Sequence, residues 1–107
     1  MDTSSCLSWR WLWLFLSFSL SYTVQGQTLK AYEKAAQTAF DNESYYNAMY
    51  YYEIVLRSKQ NAQLHYNYAQ SCRLSYAYEL AETAYAKVIN SRDKGRYPMV
   101  EYYYGLT

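Results

Sequence analysis

His65, Cys72 and the carboxylates of Glu79 and Glu82 are the residues whose types could do chemistry in this chain. A histidine can hold a metal or move a proton, a thiolate can attack, and paired carboxylates can share acid and base roles. Their spacing argues against each of these. His65 is the only histidine and has no Cys or His partner at ligand spacing, so it makes a poor metal site. No Ser or Cys motif surrounds it, so it also makes a poor catalytic base. Cys72 falls on the inward face of a helical segment, where a small buried thiol is expected; Arg73 is adjacent in sequence but nothing marks the thiol as activated. Glu79 and Glu82 lie one turn apart on an outer face, and a solvated reading suits them better than a catalytic one. No glycine-rich phosphate loop exists. The expectation is a chain with no catalytic residue, no metal and no cofactor.

The elements that carry these residues read as helices. Residues 28–42 place Leu29, Tyr32, Ala35, Ala36, Ala39 and Phe40 at three- and four-residue steps. Asp41-Asn42-Glu43 interrupts this pattern, and Ser44 is a candidate N-cap for a second helix, Tyr45–Ser58, with Tyr45, Ala48, Tyr52, Val55 and Leu56 on one face. After the turn Lys59-Gln60-Asn61, with Asn61 as candidate cap, a third helix spans Ala62–Leu74 with Tyr68, Ala69 and Cys72 inward. A fourth, Tyr78–Asn90, turns Tyr78, Ala81, Tyr85, Val88 and Ile89 inward. Gly95 is expected to take the left-handed conformation that ends a helix. Pro98 suits the first turn of a fifth helix, Met99–Leu106, because its missing N–H needs no partner there.

The second and fourth helices carry one pattern twice. A shift of 33 residues carries Tyr45 onto Tyr78, Ala48 onto Ala81, Tyr52 onto Tyr85 and Val55 onto Val88, and upstream Ala36 onto Ala69. Such a period marks an array in which no unit buries its apolar face alone. The fifth helix reads as the start of a third unit, with Gly105 in the small-residue place of Ala36 and Ala69. The expected organisation is a segment 1–26 followed by a helical domain 27–107, in units 29–61, 62–95 and a partial 96–107.

Composition sets the outer bounds. Formal charge is +1 with both signs scattered, which speaks against a nucleic-acid face. The apolar and aromatic content, 16 tyrosines included, is too high for disorder. Trp9 to Leu20 is apolar around Arg10 and leads to Val24-Gln25-Gly26, the layout of a secretory signal with cleavage after Gly26. The alternative is an uncleaved anchor, but Leu7–Val24 approaches the ~20 apolar residues of a span only if its serines count as neutral. With Cys6 in that segment, Cys72 would be alone in the mature chain and no internal disulfide could form.

Helix pairs with Ala36 … Tyr45-x-x-Ala48-x-x-x-Tyr52-x-x-Val55 and Ala69 … Tyr78-x-x-Ala81-x-x-x-Tyr85-x-x-Val88 resemble tetratricopeptide repeats over residues 29–107. The resemblance implies an all-α solenoid of antiparallel helix pairs, about two and a half repeats, acting in protein–protein interaction. The pattern departs at His65, where a bulkier residue is usual, and at Gln60 and Asp93, where a proline often closes the unit. A signal-like start, Lys30-Ala31-Tyr32-Glu33-Lys34-Ala35, Tyr51-Tyr52-Glu53-Ile54-Val55-Leu56 and Tyr66-Asn67-Tyr68-Ala69 further resemble the N-terminus of exported envelope proteins of Bacteroidota. In those, the repeats precede a β-propeller and an OmpA-like domain, and some members serve gliding or type IX secretion. This resemblance implies an exported scaffold of the periplasm or outer membrane; the alternative reading is a glycan- or peptidoglycan-associated component using surface tyrosines.

Arrays of this kind bind on the face lined by the first helix of each unit. Carried over residue by residue, that strip is Lys30, Glu33, Gln37 and Phe40, then Gln63, Tyr66, Gln70 and Arg73, then Met99 and Tyr102. It would hydrogen-bond an extended peptide and stack on its side chains. Glu33 and Gln37 stand where a carboxylate-gripping subset of the family needs Lys and Asn, which counts against that ligand. In the runs Tyr50-Tyr51-Tyr52 and Tyr102-Tyr103-Tyr104, successive side chains are ~100° apart and cannot all face one core. Tyr50 and Tyr103 are open between packing and contact, and the others are expected to pack. Met99, Tyr103, Tyr104 and Leu106 are left without a following helix, so pairing with a second copy, or a cap on further sequence, is expected.

Overall fold

A computed structural model describes residues 26–107. The expected signal segment and its rival reading as an anchor lie outside them, save for Gly26, which opens the first described helix. Residues 26–31 belong to a separate compact unit from Tyr32–Thr107, and the packing described below is that of the second unit.

The described residues are all-α. Helix α1 occupies 26–41, α2 is Tyr45–Leu56, α3 Ala62–Leu74, α4 Tyr78–Ile89, and α5 Val100–Gly105, with a 3₁₀ turn at Lys94–Arg96 before α5. Helix α3 packs between α2 and α4, and α5 packs on α4. No helix among the described residues is long and apolar enough to cross a membrane.

The small residues of the repeated pattern lie where helices meet. Ala36, Ala48, Ala69 and Ala81 are all fully buried, as are Val55 and Val88, with Tyr52 and Tyr85 the largest side chains in the interior. A methyl side chain lets two backbones approach, and a tyrosine fills the wider gap beside it. Among the buried residues, Ala69, Cys72, Ala81, Ala84, Tyr85, Val88 and Val100 form one cluster, which joins α3, α4 and α5.

The turns that close α1 and α3 share the same pair of closing backbone hydrogen bonds. Glu43 N–H donates to the Phe40 carbonyl and Ser44 N–H to that of Ala39, at 3.0 and 2.8 Å. Thirty-three residues on, Tyr76 N–H donates to the Arg73 carbonyl and Ala77 N–H to that of Cys72, at 3.1 and 2.8 Å. These are Schellman closures, which place one residue in the left-handed region. Here it is Glu43 at φ 60° and Tyr76 at φ 69°, neither a glycine. Gly95 does not play that part: it sits within the 3₁₀ turn, and no glycine among the described residues has positive φ.

At the helix starts the Asn61 expectation holds, and those for Ser44 and Pro98 do not. Asn61 caps α3, its Oδ1 accepting from Leu64 N–H at 2.8 Å with extended backbone. Ser44 precedes α2 but makes no cap bond, because its hydroxyl accepts from Asn47 Nδ2 instead. Pro98 stands two residues ahead of α5, in a turn rather than in the helix.

The third unit departs most from expectation. Gly105 is exposed, and a Cβ placed there would meet nothing within 4 Å, so it allows no close approach of the kind made at Ala36 and Ala69. Val100 anchors α5 instead, 1% exposed against the α3–α4 cluster, with Tyr103 packed beside it. Tyr78 is 44% exposed rather than packed inward; its ring meets Tyr76 edge-on at 6.3 Å. Tyr102 and Tyr104 are exposed where packing was expected.

Candidate functional site

The strip residues of α3 come together, and they are held by one another. Gln70 is the centre. Its Oε1 accepts from the Tyr85 hydroxyl at 2.7 Å and from Arg73 Nη2 at 2.8 Å, while its Nε2 donates to the Tyr66 hydroxyl at 2.8 Å. Arg73 Nε also donates to the Tyr85 hydroxyl at 3.2 Å, and the guanidinium carbon lies 4.5 Å from the centre of the Tyr103 ring. That is within range of a cation–π contact. Tyr85 and Tyr103 stack with centroids 6.2 Å apart.

One turn toward the start of α3, the Tyr97 hydroxyl donates to Gln63 Oε1 at 3.0 Å, and Gln63 Nε2 donates to Asn67. The Tyr97 ring lies 4.8 Å from that of Tyr66. Gln63, Tyr66, Gln70 and Arg73 are therefore positioned by side chains from α4, α5 and the segment between them. Burial pushes Tyr85 up to about 12 despite the opposing Arg73 charge and hydrogen bond, so its hydroxyl stays protonated and donating at neutral pH.

The first unit repeats the central bond in weaker form. The Tyr52 hydroxyl donates to Gln37 Oε1 at 3.3 Å, and Gln37 Nε2 donates to Asp41. Glu33 pairs with Lys59 at 3.3 Å across the α1–α2 pair. Phe40 meets the Tyr45 ring edge-on at 5.3 Å. Lys30 is exposed and belongs to the preceding unit. At the other end, Met99 and Tyr102 are exposed, Tyr102 at 59%, its ring edge-on to Tyr103.

The residues named first for their chemistry are placed apart from this strip. Cys72 is fully buried, and burial pushes its thiol up to about 12, which leaves no thiolate near neutral pH. Glu79 and Glu82 are exposed on α4. His65 is nearly buried, and that burial lowers its pKa, with Lys87 adding to the effect. Among the described residues, no three His, Cys, Asp or Glu side chains stand together as a metal site would require.

Two participants were not legible as site residues. Tyr97 and Asn67 carry no periodic signal of their own. The hint available was numerical: Tyr97 follows Gln63 by 34 residues, close to the repeat length.

Comparison with protein families, curated proteins and solved structures found no match for this chain.

Proposed function

We propose that this chain is a tetratricopeptide-like scaffold module of a bacterial envelope, binding a protein segment along its first-helix strip and carrying out no catalysis. The observation that carries the reading is the recurrence, at one spacing of 33 residues, of both the left-handed turn and the tyrosine–glutamine bond. Two independent local geometries recurring at the sequence period are what stacked equivalent units would produce. The strip supports a binding role through its rigidity. Amides and rings fixed by neighbours cost less entropy to engage than free side chains, and Met99 and Tyr102 extend the strip with exposed apolar surface. Export to the periplasm or outer membrane, by a cleaved or an anchoring N-terminal segment, is part of the same proposal.

The exposed rings of Tyr46, Tyr50, Tyr76 and Tyr102 favour one second reading, stacking on sugars of the cell wall. Equilibrating the full chain with an extended-peptide library and with soluble peptidoglycan fragments separates the two. Peptide retention that falls in Met99→Ala and Tyr102→Ala, with unchanged melting, is the expected result. Retention of the glycan fragments alone would replace the first reading with the second.

A further inference from the structure

The face of α3 opposite the strip carries a cleft that the proposed peptide-binding role does not use. His65 and Tyr68 lie roughly half a helical turn away from Tyr66, Gln70 and Arg73. Around them, Leu56 of α2 and Leu80 and Ala84 of α4 complete a cavity of about 380 Å³, with Glu53, Arg57 and Lys87 at its charged edge. A second hollow of about 410 Å³ adjoins it, sharing Gln60, His65 and Lys87 and adding Asn61, Asn90 and Ser91. One end is thus lined by apolar side chains, and the other by amides, a hydroxyl and an ammonium group.

His65 joins the two ends. It is 9% exposed, and its ring makes no hydrogen bond to any described residue, while no described side-chain nitrogen or oxygen is both fully enclosed and unpartnered. Its ring nitrogens therefore keep their remaining access through the cleft that it lines. Because those nitrogens still reach solvent, they are open to a hydrogen-bond partner that enters the cleft. The charges around it are also uneven. Glu53 is engaged by Arg57 on its own helix at 3.6 Å, which leaves Lys87 as the cation without an ion pair in the cleft. With one carboxylate against two cations, the lining carries a formal charge of +1.

We propose that this cleft binds a small carboxylic acid bearing an apolar group, with the carboxylate held between His65 and Lys87 and the apolar group between Leu56, Tyr68, Leu80 and Ala84. The volume falls in the range of small-ligand sites, which pair an apolar lining with a few convergent polar groups. A carboxylate supplies the acceptor that the His65 ring lacks and the counter-charge that Lys87 lacks. The two bonds would be charge-assisted. The apolar end selects against a bare anion, which would leave Leu56 and Leu80 unoccupied.

His65 is the only histidine, so its ring C–H resonance reports the site unambiguously in the intact chain. The test titrates the full chain by NMR with 3-phenylpropionate, with 3-phenylpropionamide and with inorganic phosphate. Expected is a saturable shift of the His65 resonance with 3-phenylpropionate, accompanied by a rise in its apparent pKa as the bound negative charge stabilises the imidazolium. The amide, having no charge, should give no saturable response. Lys87→Gln, at an exposed position, should weaken 3-phenylpropionate by about tenfold while leaving the remaining spectrum in place. Leu80→Ala should weaken it as well. No saturable shift, an equal response to the amide, or phosphate binding as tightly as 3-phenylpropionate would each overturn the proposal.

Discussion

The Tyr85 hydroxyl donates to Gln70 Oε1 across 2.7 Å, and 33 residues earlier the Tyr52 hydroxyl reaches Gln37 Oε1 across 3.3 Å. The two bonds join equivalent positions but differ in setting. Gln70 is half-buried and also engages Arg73 and Tyr66, whereas Gln37 is exposed and shares its amide only with Asp41. Both hydroxyls are buried, but removing Gln70 takes the acceptor from Tyr85 and a partner from Arg73 and Tyr66, whereas removing Gln37 takes one longer bond from Tyr52, which Asn67 also approaches.

Gln70→Leu should therefore destabilise the chain by about 1–3 kcal/mol, since a buried hydroxyl loses its acceptor and two further bonds go with it, and Gln37→Leu, with one long bond lost, by less than about 1 kcal/mol. Urea unfolding of the two variants measures the difference. Equal losses would mean that the network around Gln70 adds nothing to the single bond.

Glycine at the two left-handed turn positions should stabilise. Glu43 and Tyr76 adopt φ of 60° and 69°, a region that costs a side-chain-bearing residue about 1–2 kcal/mol. Tyr76 is 79% exposed, so its ring loses little packing on removal. Glu43→Gly and Tyr76→Gly should each raise stability by up to about 1 kcal/mol, after the entropy glycine adds to the unfolded chain. Their effects should add, since the sites share no partner. A fall in melting temperature for either would contradict the assignment.

Stability should be flat across a window of pH and decline on both sides. His65 has its pKa lowered below 6.5 by burial first and Lys87 second, so the unfolded chain binds its proton more readily and stability falls as pH drops through that range. Burial raises Cys72 from 9.0 to about 12, and Tyr85 from 10.0 to about 12. The unfolded chain releases those protons first, so stability is retained below about pH 9 and lost as pH climbs towards 12. Chemical unfolding at intervals from pH 5 to pH 11 traces the window. His65→Gln should flatten the acid side specifically.

Small residues at the two equivalent-looking positions should respond oppositely. Ala69 is fully enclosed, and Ala69→Leu should cost about 1–3 kcal/mol or more through overpacking. Gly105 has open space where a Cβ would stand, so Gly105→Ala should be neutral or stabilise by up to about 1 kcal/mol through helix propensity. Thermal melts of the two variants decide whether the third segment shares the packing of the first two.

Apolar residues recurring at helical steps, in a chain poor in glycine and proline, were enough to read helices α1 to α4 close to their observed bounds. The same pattern identified the alanines and tyrosines that fill the interior, because burial there depends on positions three and four apart in one segment. The Asn61 cap was legible for a similar reason, since its bond spans three residues. Other features depended on contacts between distant segments. Val100 rather than Gly105 meets the core, through packing against buried residues of α3 and α4. Tyr78 lies 44% exposed against the Tyr76 ring, whereas Tyr45, after the equivalent turn, meets Phe40. The strip on α3 was visible as a row of polar residues, but its internal bonding was not, for Tyr97, Tyr85 and Tyr103 reach it from other elements. That His65 and Lys87 line one cleft is of the same kind. Sequence by itself determined which residues could face inward, since that is a matter of local periodicity; only the tertiary structure decided which polar groups meet, since that is set by how separate helices dock.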